Sequence, residues 1–281
     1  MRILRIALLI MFVITAVVFG IDQYCSYKDR DVIAPVISVD KDVLNLSVDA
    51  TDEDLLKGVS ALDEHDGDVT TSLIIAGKSN FIEEGIIRVD YAAFDSHNNI
   101  GTYSRRVIYV DYHSPRFFSD VPLILRSESS YDFSFLHAVD VLSGDISNKI
   151  KILSDSTAIS NSSELPIEIE VTNSYGDVEK LDLVMDVLTN SEYNRIYPAL
   201  SEYILYIPKG EKEDFSSYII GIRQGDKLLQ FEDTGFSIGD IEIEDYVDYS
   251  KPGIYTVTFS LWQSEKLTTK TKMTVIVTED F

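Results

Sequence analysis

From residue 35 onward, apolar and polar residues alternate with a period of two over many short stretches. Alternation of that kind turns one face of a strand toward a core and the other toward water. Clear cases are Val36-Ile37-Ser38-Val39, Val43 to Val48, Ile86 to Phe94, Arg105 to Val110, Pro166 to Thr172 and Leu181 to Val187. Further strands are expected at Gly58 to Asp63, Pro122 to Leu125, Tyr131 to Phe135, Tyr203 to Ile207, Phe215 to Ile222, Gly253 to Leu261 and Thr271 to Val277. Turn residues separate them at short intervals, as in Asp95-Ser96-His97-Asn98-Asn99 and Asn173-Ser174-Tyr175-Gly176-Asp177. Helical periodicity is nearly absent from this part of the chain, so the expected fold class is all-β, built as tandem β-sandwiches.

The first twenty residues follow another pattern. Arg2 and Arg5 precede an uncharged, apolar run from Ile6 to Gly20. The run approaches the roughly 20 residues that span a bilayer as a helix. Residues 1–20 are therefore expected to be a signal anchor, a transmembrane helix with its basic end in the cytoplasm and the rest of the chain exported. A cleaved signal peptide competes with this reading, although Val18-Phe19-Gly20 makes a weak cleavage site. The expected location is the cell membrane, single-pass, with the C-terminal region extracellular.

One short motif occurs twice. Asp66-Gly67-Asp68-Val69-Thr70 precedes Leu73-Ile74-Ile75, and Ser143-Gly144-Asp145-Ile146-Ser147 precedes Ile150-Lys151-Ile152. Gly67 and Gly144 lie 77 residues apart, and the turns opening at Asp95 and Asn173 lie 78 apart. A repeat of this length marks an array of small domains. A third unit lacks the motif but keeps the closing strand pair, and Ile238-Gly239-Asp240-Ile241 stands where the motif would. The expected organisation is a linker at 21–34, Ig-like domains at 35–111 and 112–190, and a divergent one at 196–279.

Composition narrows the partners. The 281 residues carry 47 acidic and 24 basic side chains, a net charge of −23. Such a field repels nucleic acid and anionic lipid, so no nucleic-acid partner is expected. Cys25 is the single cysteine, which leaves no intramolecular disulfide. An exported all-β chain without disulfides reads as bacterial.

The pattern Ala61-Leu62-Asp63, Asp66-Gly67-Asp68-Val69-Thr70, Gly85, Val89 to Asp95, Asn99 and Arg106 to Val110 resembles the bacterial Ig-like repeat named after a pesticidal crystal protein. Hyalin-type and cadherin-like repeats share its general shape. The resemblance is good over 32–111, partial over 112–190, where Asn173 replaces the usual Asp, and faint over 196–279. It implies Ig-like sandwiches on the bacterial cell surface, serving adhesion or spacing without catalysis.

The chain offers little for chemistry. It has no nucleophile elbow, no phosphate loop and no paired-histidine zinc motif, and its four histidines stand apart in sequence. No cofactor and no enzymatic activity are expected. The acidic cluster Asp63, Asp66 and Asp68 is the best candidate for a structural calcium, because closely spaced carboxylates around a glycine turn can supply oxygen ligands. The same side chains also serve to cap turns. Trp262 and the tyrosines 203, 206, 246, 249 and 255 make the third unit the expected recognition surface for a protein or glycan ligand. The expected function is adhesion, partner binding or spacing, with envelope polysaccharide assembly or carbohydrate binding as the alternative.

Overall fold

The alternating segments pair into mostly antiparallel ladders, and the same ladder order occurs three times. The computed structural model describes residues 2–28, 31–127, 132–153, 163–263 and 266–279. Contacts divide the chain into two compact units. One holds most of residues 1–108 and the other holds 109–281 together with residues 47–49 and 80–85.

In the first unit, a three-stranded sheet sets Val59–Asp63 between Val36–Val39 and Gly67–Asp68. A four-stranded sheet runs Val43–Leu46, Ile100–Tyr109, Ile86–Phe94, Ile74–Lys78. Inward positions of both sheets, including Ala61, Ile87, Val89, Tyr91, Ala93 and Val107, are fully buried, as the period-two pattern requires. Two polar groups in this core find backbone partners. Tyr91 donates its hydroxyl to the Leu55 carbonyl at 2.7 Å. Arg105, with a fully buried side chain, donates to the Lys57 carbonyl at 3.0 Å and to Asp40 at 2.9 Å.

Leu55 and Lys57 belong to a short helix, Asp52–Leu56, and its C-cap. The pattern of alternation misses this helix, yet its start is written in Thr51 and Asp54, which exchange side-chain and backbone hydrogen bonds as a capping box. Gly101 lies in the strand Ile100–Tyr109, where a Cβ would sit 1.9 Å from the Pro35 carbonyl oxygen. Its constraint is close backbone approach rather than an unusual φ.

The second unit contains the same order twice more. One set is Arg116–Phe118, His137–Asp140, Gly144–Asp145 with Ile124–Arg126, Val178–Leu188, Glu164–Thr172, Lys151–Ile152. The other is Ile196–Leu200, Ile219–Gln224, Lys227–Leu229 with Ile204–Pro208, Lys266–Thr278, Gly253–Gln263, Ile241–Glu244. In both, the second strand joins the last in parallel. The two sets share one continuous apolar cluster, from Phe117, Leu125 and Met185 to Tyr203, Phe259 and Val275. Lys272 of the third set adds ion pairs to Glu164 and Asp186 of the second, at 2.7 and 2.6 Å.

Two expected strands shift. Residues 132–136 form turns and the strand starts at His137, with Tyr131 outside the described residues. Phe215–Tyr218 is a helical turn, capped by Asp214, that precedes the strand Ile219–Gln224. The chain is thus an all-β protein of tandem Ig-like β-sandwiches.

An apolar helix, Arg2–Lys28, precedes them and continues past residue 20 into the segment expected to be linker. Its stretch Ile6–Tyr24 has mean hydropathy 2.3 and no part of it is buried in the protein. Among the described residues it is the one helix long and apolar enough to cross a membrane.

Candidate functional site

The twice-occurring motif builds a tight hairpin in each of the first two strand sets. Gly67 and Gly144 take φ of 75° and 70°, a left-handed conformation that suits glycine. After each hairpin, Thr70 and Ser147 hydroxyls accept from the backbone of Ala61 and Ala138 at 3.0 Å. Asp68 and Asp145 each accept from the backbone N–H two residues on, at 2.9 Å. The Thr70 hydroxyl, and after it the Thr70 backbone N–H, hold the Asp68 carboxyl below the usual carboxylate range.

The expected calcium cluster of Asp63, Asp66 and Asp68 does not converge in this structure. Asp68 faces its own turn. Asp66 fastens the hairpin to the neighbouring loop by accepting from the Ser96 N–H at 2.6 Å and the Ser96 hydroxyl at 3.0 Å. Those two bonds hold the Asp66 carboxyl low. Asp63 alone of the three points inward.

Asp63 meets two carboxylates from elsewhere in the chain. One carboxylate oxygen each of Asp31, Asp63 and Asp95 lies within 4.8 Å of the other two. Each of the three residues also uses an oxygen to hold its own loop. Asp63 Oδ1 accepts from the N–H groups of His65 and Asp66, at 2.8 and 2.9 Å. Asp95 Oδ1 accepts from His97 and Asn99, both at 2.8 Å. Asp31 Oδ1 accepts from Ile33 at 2.9 Å.

The second oxygens are different. Asp95 Oδ2 accepts from the Asn99 amide at 2.6 Å. Asp63 Oδ2 and Asp31 Oδ2 are buried and have no donor among the described residues. Asp63 is 7% exposed and Asp95 8%. Burial pushes the Asp95 carboxyl up, but the bonds from Asn99 and His97 outweigh it and leave it below its ordinary value. Two carboxylates about 5 Å apart repel by roughly 3 kcal/mol at an effective dielectric of about 20. His65 and His97 stand nearby edge to face, 5.6 Å between ring centres, and their rings with Asp31 form a second possible donor set.

The second strand set resolves the same geometry with donors. Asp140 Oδ2 accepts from Leu142 and Ser143, as Asp63 does from its own loop. Asn173 Oδ1 accepts from Tyr175 and Asp177, as Asp95 does from its loop. The Asn173 amide then donates to Asp140 Oδ1 at 3.0 Å and to the Tyr112 hydroxyl at 2.9 Å. An amide there neutralises what in the first set is carboxylate against carboxylate.

Sequence reasoning found Asp63 but missed Asp31 and Asp95. Asp31 lay in presumed linker and Asp95 in a turn. The available signal was the Asp95-to-Asn173 difference between otherwise matching turns.

The expected aromatic surface of the third set is smaller than its tyrosine count suggests. Tyr203 is 1% exposed and belongs to the core. Tyr206, Tyr249 and Tyr255 are half-buried, while Tyr246 is 81% exposed. Trp262 is 36% exposed and donates its indole N–H to Glu242 at 2.9 Å. A separate recess of about 440 Å³ in the second unit is lined by Arg126, Phe135, Tyr193, Arg223 and Asp226. There the Arg126 guanidinium lies 4.4 Å over the Tyr193 ring, whose hydroxyl donates to Asp226 at 2.6 Å.

Strand order and loop chemistry thus define a tandem β-sandwich protein. No protein-family profile matches the chain. It is 26% identical over 210 residues to the pesticidal crystal protein Cry22Aa of Bacillus thuringiensis, covering 72% of this chain. The chain spans about a quarter, 27%, of that protein's length. Among solved structures, the CBM51-2 and INT domains of Clostridium perfringens ZmpB in complex with GlcNAc give a TM-score of 0.22 at 17% identity, over 54% of this chain and 41% of that one. The protocadherin gammaB4 extracellular domain gives 0.20 at 12% identity, over 86% and 49%.

Proposed function

We propose that this chain is a non-enzymatic, membrane-anchored protein whose tandem sandwiches, repeats of the Ig-like family of that crystal protein, are displayed outside the cell for adhesion, partner binding or spacing. The observation that carries the proposal is the apolar stretch Ile6–Tyr24, none of which is covered by the protein. About 20 uncovered apolar residues are costly in water and match the thickness of a bilayer. The net charge of −23 suits a solvated exported array and disfavours nucleic acid. The partner is a surface protein or a glycan. Fractionation tests the anchor. The full chain should pellet with membranes, resist high salt and carbonate, and be released by detergent, whereas residues 29–281 should remain soluble. A full chain released by salt alone would contradict it.

Carbohydrate binding is a second reading, favoured by the recess at Tyr193. The Tyr193 ring, the Arg126 guanidinium laid over it and the Asp226 carboxylate offer a sugar apolar contact and hydrogen-bond partners. Glycan binding that is lost in Tyr193→Ala and kept in Trp262→Ala would place it there. An array that binds no glycan would remove this reading.

A further inference from the structure

We propose that Asp31, Asp63 and Asp95 form a calcium site that fastens the segment leading out of the apolar helix to the first sandwich. The site rests on geometry and does not depend on the surface role proposed above.

Three observations meet there. Calcium is bound by oxygen at about 2.3–2.6 Å, so oxygens around one ion stand at most about 5 Å apart. One oxygen of each carboxylate lies within 4.8 Å of the other two, which is that spacing. Asp63, more than nine-tenths buried, presents Oδ2 with no donor, and Asp31 does the same. A buried carboxylate oxygen without a donor is costly, and a cation supplies what the protein does not.

The third observation is the internal comparison. In the second strand set the matching pair is Asp140 and Asn173, and the amide donates across the gap at 3.0 Å. Where the chain has an amide, the loops are joined by a hydrogen bond. Where it has a carboxylate, the same loops keep their self-capping bonds and leave three acid groups facing one another.

The other oxygens of Asp31, Asp63 and Asp95 hold their own loops by backbone hydrogen bonds, so the inward oxygens are pre-aimed. An all-oxygen, multiply charged set suits a hard cation rather than a soft one, and water completes its coordination. Asp31 lies three residues beyond the helix end at Lys28, and Asp63 and Asp95 lie on loops of the sandwich. The ion would therefore tie a position next to the helix to a rigid body.

The test is calorimetry on the full chain in detergent, stripped with EDTA and titrated with calcium chloride. One site is expected, with a rise of about 10 °C in the first sandwich's melting temperature at a calcium concentration a hundredfold above Kd. Asp95→Asn gives the first set the acid–amide pair that the second set has in Asp140 and Asn173. It should fold, melt higher than the wild type in EDTA, and lose the calcium-induced rise. No heat and no shift at millimolar calcium would overturn the proposal, as would an equal shift in Asp95→Asn. A zinc response that is lost in His65→Ala, with no calcium response, would overturn it in favour of the imidazole set.

Discussion

The side-chain amide of Asn173 donates to Asp140 at 3.0 Å, at the place where the first sandwich sets Asp95 near Asp63 with no donor for Asp63 Oδ2. Both loops are otherwise held by the same backbone bonds. The NH₂ of Asn173 joins its two loops, whereas at Asp95 the matching oxygen takes the Asn99 amide and leaves Asp63 Oδ2 without a donor.

Asn173→Asp should show the size of that difference. The change removes a donor from both Asp140 and Tyr112 and puts two buried carboxylates together. The expected cost is about 2–4 kcal/mol at pH 8 in EDTA. Urea unfolding followed by Trp262 fluorescence reads it directly, because the tryptophan lies in the same compact unit.

Arg105 gives a second prediction. Its buried guanidinium satisfies the Lys57 carbonyl, while its Nε has no partner among the described residues. The Asp40 partner is more than half exposed, so the ion pair itself contributes little. Arg105→Ala should cost about 2–4 kcal/mol by leaving a cavity and an unpaired carbonyl. Arg105→Met, which refills the volume, should recover a large part of the loss. Scanning calorimetry of the two variants separates packing from charge, and equal destabilisation would show that the hydrogen bonds dominate.

How legible this fold was in the sequence can be judged from particular residues. The long strand Glu164–Thr172 alternates cleanly, because one face packs and the other is wet, and Ile86–Phe94 and Gly253–Gln263 alternate up to the buried runs at 91–93 and 259–261. The helix Asp52–Leu56 was hidden, because five residues give no period and only its capping pair marks it. The shared core of the second and third sets was also hidden. Phe117, Leu125 and Tyr203 read as ordinary inward residues, and nothing local says which sandwich they face. The carboxylate cluster was one-third legible. Asp63 stood in an evident acidic run, but its partners come from 32 positions before and after it, and only folding brings them together.

Glu179 predicts a pH dependence. Burial, with Asp177 and Glu84 nearby, pushes its carboxyl up from 4.5 to about 7. Folding therefore favours the protonated form. That contribution is complete below about pH 4.5 and is lost as pH rises through about 7. Glu179→Gln should melt close to the wild type at pH 5 and be more stable by about 2 kcal/mol at pH 8, the value being reduced for partial exposure. Melting curves at the two pH values check the sign, and an equal effect at both would contradict it.

The most direct test of the account as a whole is proteinase treatment of intact cells that carry the full chain with a C-terminal tag. An anchored, exported array predicts that the tag is lost while a cytoplasmic marker survives and the helix stays with the membrane. A tag protected in intact cells, yet cleaved once they are lysed, would contradict it.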